Sequence, residues 1–248
     1  MADFCEALRD EGDVKVETAG SIRSGRRTWF LLKGEEFHVA KGDQILPYIL
    51  VSNGHDGGAC FRVTPTTVRT VCSNTIHMVI PRLDIGELGD SAIAVRHMGD
   101  VMERVQEARN ALKHYNKVLE ETKQVMDHLA SKNVTREQVD NFFLESYTES
   151  YGSIPANPQN EKEERQRARA RSALLSFSKR FDEEREVAGS TIWTAFGAWS
   201  GLVQHDQKAR GADDEDRIEK RVVSNLFGLN ANRTSAALQR AFTIAQAG

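Results

Sequence analysis

The chain has 248 residues, 40% of them hydrophobic and 28% charged, with a formal net charge of −3. That size supports one large domain, or a domain with an appendage, around a sizeable core. The balanced charge excludes a global field drawing the protein to nucleic acid or acidic lipid, so any anion site must be local. The three cysteines, Cys5, Cys60 and Cys72, are odd in number and lack C-x-x-C spacing. They are expected as free thiols in a reducing compartment, not as a disulfide framework or a zinc site. No stretch nears the roughly 20 apolar residues that span a bilayer. The acidic start over residues 1–12 is not a signal peptide. A cytoplasmic protein without membrane contact is expected.

In chain order, Phe4 and Leu8 lie one turn apart and predict a short helix over residues 2–9, ended by Gly12. Strand grammar follows. Val14 and Val16 alternate with Lys15 and Glu17, and residues 18–25 are a Gly/Ser-rich turn. Residues 28–32 predict a strand with Trp29 and Leu31 on one face and Phe30 and Leu32 on the other; residues 37–40 are its expected hairpin partner. Residues 45–52 and 60–63 are two further strands, separated by the turn Asn53-Gly54-His55-Asp56-Gly57-Gly58. Thr64-Pro65 then has the form of a helix N-terminus. Val68, Val71, Cys72, Ile76 and Val79 follow at helical spacing up to Pro81, which predicts a helix over 66–80 packed on the sheet. A short strand is expected at 92–95.

From residue 100 the pattern is helical. Val101, Val105, Ala108, Leu112, Tyr115, Leu119, Thr122, Met126 and Leu129 alternate by fours and threes over four heptads. This predicts a long helix over 100–131. Further helices are expected over 134–151, over 161–208 with a looser seam interrupted by Gly189, Gly197 and Gly201, and from about 232 to 247. Residues 210–216 are an acidic linker. The two long seams suggest an antiparallel helix pair, within one chain or between subunits. The expected fold class is therefore α+β: an antiparallel sheet with a packed helix over residues 1–98, then a helical region over 99–248.

Several segments together resemble a known family. They are Glu17-Thr18-Ala19-Gly20-Ser21 with Gly25-Arg26-Arg27-Thr28-Trp29, the run from Pro47 to Gly57, Arg62-Val63 with Thr66 and Val68 to Thr75, and Arg96-His97 before the long helix. The run from Trp193 to His205, Leu226-Phe227-Gly228 and Arg240-Ala241-Phe242 extend the likeness over most of the chain. This pattern resembles the phage/plasmid-related family known as domain of unknown function 932. The resemblance implies a phage or mobile-element setting in a bacterial host, with no assigned reaction. It also implies an N-terminal stretch that this chain lacks, and a polar insertion around 152–170 longer than is usual there.

The residues themselves offer five places for chemistry. Arg23, Arg26, Arg27, Arg62 and Arg69, with Trp29, supply the cations and the π-face that a single-strand nucleic-acid surface uses. Against that, ten Lys and Arg face eight Asp and Glu over residues 14–98, and the same arginines suit a solvated sheet edge. Asn53, His55, Asp56, Asn74 and His97 form a polar cluster. A metal-assisted hydrolase centred on His55, Asp56 and His97 is the enzymatic alternative, although Asn-Gly and Asp-Gly have a turn-forming role of their own. No metal or other cofactor is expected on this reading. Arg69, Ser73 and His77 make a polar stripe if residues 66–80 are helical. Arg165, Arg167, Arg169 and Arg171 follow three glutamates, an order that suits a solvated helix. The small residues from Gly189 to Gly201 allow close helix approach around Trp193 and Trp199. Walker, dinucleotide-binding, nucleophile-elbow and H-E-x-x-H motifs are all missing.

The expectation is a protein, more binding module than enzyme, that binds single-stranded nucleic acid irrespective of sequence through Arg26, Arg27, Trp29, Arg62 and Arg69. It is expected to act as a homo-oligomer, with strand annealing in recombination as its use. A counter-defence or scaffold protein acting through its helical seam is the third alternative.

Overall fold

The computed structural model describes residues 10, 15–22, 24–39, 42–54, 61–70, 74–82, 87–94, 101–206 and 211–247. The helix expected over 2–9 and all three cysteines lie outside these residues. Nine strands appear among the described residues: β1 (Lys15–Ile22), β2 (Arg27–Lys33), β3 (Phe37–Val39), β4 (Asp43–Gly54), β5 (Arg62–Arg69), β6 (Asn74–His77), β7 (Val79–Arg82), β8 (Glu87–Asp90) and β9 (Ile93–Ala94). The helices are α1 (Val101–Ser131), α2 (Arg136–Tyr151), α3 (Glu161–Ala188), α4 (Ile192–Gly201), α5 (Asp214–Phe227) and α6 (Leu229–Ala247), with a π-helical turn (Leu202–Asp206) after α4. The class is α+β, as the sequence pattern indicates.

The main sheet has the order β1-β2-β4-β5-β6, with β3 added on β4 and β9 on β5; β7 and β8 form a separate antiparallel ribbon. Two expectations are corrected here. Residues 37–39 pair with β4, not with β2, because β2 is already flanked by β1 and β4. The predicted helix over 66–80 does not form: residues 66–69, 74–77 and 79–80 lie in β5, β6 and β7, and residues 71–73 are outside the described residues. Spacings of three and four misled because β5 is buried on both faces, from Val63 through Thr67, and such a strand shows no alternation. The β-branched run Thr66-Thr67-Val68 favours an extended backbone. Both threonine hydroxyls donate to the carbonyl of Ile76, at 2.9 and 3.2 Å, tying β5 to β6.

The described residues divide into two compact units, the first within Met1–Val39, Gln44–Thr70 and Thr75–Val125, the second within Ala40–Asp43, Val71–Asn74 and Met126–Gly248. The division falls inside α1, whereas the sequence pattern changes near residue 98. In the first unit, Leu32, Ile49, Val51 and Val63 from one sheet face bury against Ala111, Tyr115 and Val118 of α1. Of the heptad seam, Tyr115 lies in this core with Leu112 and Leu119 packed against it, while Met126 and Leu129 belong to the second unit. Thr122 clips the same helix to β7, its hydroxyl lying 3.1 Å from both the N–H and the carbonyl of Val79. Gly34 has to be glycine, since a Cβ there overlaps the Tyr115 hydroxyl. Burial pushes that hydroxyl's pKa well above its ordinary value.

The second unit is built on aromatic packing. Phe143 of α2 lies 5.1 Å from Phe177 of α3 and 6.0 Å from Trp199 of α4, between ring centroids. Every residue of α4 is buried. Helix α2 starts with a capping box: the Thr135 hydroxyl accepts from the Gln138 N–H at 3.3 Å, and the Gln138 side chain accepts from the Thr135 N–H at 2.8 Å. Thr135→Ala is expected to lower unfolding free energy by about 1 kcal/mol in urea titration, with Thr135→Ser sparing most of it. Residues 213–216 of the expected acidic linker are the cap and first turn of α5, where Asp213 accepts from the Asp216 N–H at 2.8 Å. Acids at a helix start complement its dipole, so a charge run that resembles a linker is here a helix signal. Among the described residues no helix is long and apolar enough to cross a membrane.

Candidate functional site

Antiparallel register fixes which side chains share a face, because residues directly opposite one another point the same way. Gly20 of β1 faces Trp29 of β2, Trp29 faces Ser52 of β4, and Ser52 faces Arg62 of β5. These four make one row across the sheet. Arg27 lies two residues before Trp29, hence on the same face, opposite Ile22 and Gly54. Arg26 is exposed in the turn that joins β1 to β2. Four of the five residues expected to meet nucleic acid are thus gathered at one end of the sheet. Arg62 is exposed, Arg27 and Trp29 are half-buried, and neither Arg26 nor Arg62 enters an ion pair among the described residues.

Small neighbours create room for the indole in this row. A Cβ added at Gly20 falls 2.5 Å from Cζ2 of Trp29, so the ring lies over Gly20. The Trp29 Nε1 is buried there and has no acceptor among the described residues. Gly20→Ala is expected to displace the ring and lower stability by about 1–3 kcal/mol, read as a fall in melting temperature with a red-shifted tryptophan emission. Further along this face, burial raises the pKa of the Tyr48 hydroxyl, with the hydrogen bond and charge of Glu17 adding to it.

Arg69 does not belong to this surface. It sits at the other end of β5, on the opposite face, and is fully buried at 0% exposure. A phosphate-contacting role for Arg69 is therefore corrected: seven residues along a strand reverse the face. The stripe of Arg69, Ser73 and His77 fails with the helix that carried it.

The polar cluster is not assembled among the described residues either. His55, Asp56 and His97 lie outside them, as does Arg23. Asn53 is buried on the face that carries Ile49 and Val51, and its Oδ1 has no partner among the described residues. Asn74 belongs to the second unit, where its Nδ2 donates to the carbonyl of Gly197 at 3.0 Å. Among the described residues no group of three or more His, Cys, Asp or Glu is placed to hold a metal ion.

The second unit holds a buried polar lock that the sequence reading overlooked. The indole N–H of Trp193 donates to Asp43 Oδ2 at 2.7 Å, with both residues about 1% exposed. A charge-assisted bond of that length in a dry interior is strong. Asp43 follows Lys41-Gly42, which reads as a turn, so nothing local marks it as a core residue. Beyond α4, Arg180 forks onto Asp206, Nε to Oδ2 at 2.9 Å and Nη2 to Oδ1 at 2.5 Å. Gly201 makes room for that guanidinium, since a Cβ there lies 3.0 Å from Nη1. These bonds fasten the π-helical turn, with Gln204 donating to Ser200 and Thr234 at 3.1 and 3.3 Å.

The arginine run of α3 follows an N-terminal turn holding Glu161, Glu163 and Glu164, with Asn160 as N-cap. Arg165 pairs with Glu161. Arg167, Arg169 and Arg171 enter no ion pair among the described residues.

Compared with known proteins, residues 1–226 match the model of a family described as Domain of unknown function (DUF932). No curated protein and no solved structure matches the chain.

Proposed function

Since the chain belongs to the DUF932 family, whose very name leaves its activity open, we propose from its own surface that it binds single-stranded nucleic acid irrespective of sequence. The observation that carries this reading is the sheet end that Arg26, Arg27 and Arg62 share with a half-buried Trp29. Guanidinium groups neutralise phosphates, and an indole offers a π-face that any base can cover. The indole N–H supports the same reading, because a ring that leaves Gly20 for a base gives up no hydrogen bond to a described residue. On this proposal the protein works as a homo-oligomer in the cytoplasm of a bacterial host, annealing strands during phage or plasmid recombination.

Fluorescence gives a direct test. The chain has three tryptophans, and Trp193 and Trp199 are at most 1% exposed. Emission changes on adding oligo-dT therefore report on Trp29. Saturable quenching that Trp29→Phe abolishes is expected, with Trp29→Ala costing about 1–3 kcal/mol of affinity. Unchanged emission under conditions where binding is measured independently contradicts the stacking role.

A further inference from the structure

The two most exposed large apolar side chains of the second unit that carry a charge one turn earlier are Leu175 on α3, 72% exposed, and Ile218 on α5, 65% exposed. The charged residue one turn before each differs in sign, Arg171 before Leu175 and Asp214 before Ile218. Residues 165–180 carry six lysines and arginines and no acid. Arg167, Arg171 and Leu175 line an open cleft of about 490 Å³, with Glu164 and Pro158 at its edge. Helix α5 opens with Asp214, Glu215 and Asp216. The Asp214 side chain is 90% exposed even though it pairs with Arg217.

Spacing decides how the two faces fit. Arg171 precedes Leu175 by four residues, and Asp214 precedes Ile218 by four. Both pairs therefore stand on one stripe of their helix, a cation before an apolar residue on α3 and an anion before an apolar residue on α5. Laid side by side in the same direction, the helices bring Arg171 to Asp214 and Leu175 to Ile218. Reversing one helix allows at most one of the two matches. Within a single chain both apolar residues are solvent-exposed, so neither covers the other.

We propose that the α5 face of one copy docks in the α3 cleft of a second copy of this chain. The two faces differ, so the contact is head-to-tail: a joined pair keeps one free face of each kind, and the assembly extends as a filament or closes as a ring. The proposal assigns the surfaces of the oligomer invoked above. Its test uses no nucleic acid, so its failure leaves the binding reading standing.

Solution mass by light scattering, over a range of concentrations, tests it with Leu175→Glu and Ile218→Glu. Both sites are exposed, and unchanged circular dichroism and melting temperature verify the folds. The wild-type protein is expected to grow in mass with concentration beyond a dimer. Each variant alone is expected to stay monomeric. An equimolar mixture of the two is expected to stop at a dimer, because Leu175→Glu keeps an intact α5 and Ile218→Glu keeps an intact cleft. Arg171→Glu is expected to weaken assembly and Asp214→Arg in the same chain to restore it. A monomeric wild type, a single variant that assembles like the wild type, or a mixture that stays monomeric overturns the proposal.

Discussion

Trp193→Phe is expected to destabilise the protein by about 3 kcal/mol in urea unfolding, the largest effect foreseen for a substitution that keeps an aromatic ring. Two costs combine. The Asp43 carboxylate, 1% exposed, loses a donor at 2.7 Å, and hydrogen bonds to charged groups contribute about 1.5–3 kcal/mol. The smaller ring also leaves a void in a wholly buried helix, at roughly 24 cal/mol per Å³ of cavity that does not collapse. Asp43→Asn separates the two costs. It keeps an oxygen for the indole and removes the charge, so a loss of only about 1 kcal/mol is expected. In a double-mutant cycle Asp43→Ala and Trp193→Phe are expected to couple, because both remove the same bond. Equal damage from Asp43→Asn and Asp43→Ala contradicts the lock.

The second large effect concerns binding. Arg27→Glu combined with Arg62→Glu is expected to weaken single-strand affinity by roughly two orders of magnitude at low salt, through the loss of two phosphate contacts and the reversal of their charge. The same change is expected for oligo-dT and oligo-dA, because phosphate contacts carry no sequence information. Arg62 is exposed and Arg27 half-buried, so circular dichroism and melting temperature must accompany the measurement. Substituting the buried Arg69 is expected to act on folding instead, lowering the melting temperature.

How far this architecture can be read from sequence depends on the periodicity that each segment retains. The long helix, α2 and α6 fall close to their expected spans because a half-buried helix keeps its 3.6-residue signal. Strand β2 announces itself by alternation, and its two faces hold Trp29 and Leu31 on one side and Phe30 and Leu32 on the other. Segment 66–80 has no such signal. Strand β5 is buried on both faces, so it shows no alternation to set against the helical spacing of Val68, Val71 and Cys72. The candidate site shows the same limit. Arg26, Arg27 and Trp29 are neighbours in sequence, but Arg62 joins them only through the β2–β4–β5 register, and register is a property of the whole sheet. Arg69 is the same residue type as Arg62 and differs in its end of the strand and its parity along it. Asp43 and Trp193 are 150 positions apart, so no local pattern links them.

Salt dependence of oligo-dT binding tests the central claim most directly. If Arg26, Arg27 and Arg62 each neutralise one phosphate, log affinity falls linearly with log salt concentration with a slope of about −2. In the Arg27→Glu, Arg62→Glu protein that slope shrinks to about −0.7, the value for a single remaining contact. Absence of binding at low salt, or an affinity that is indifferent to salt, contradicts the account.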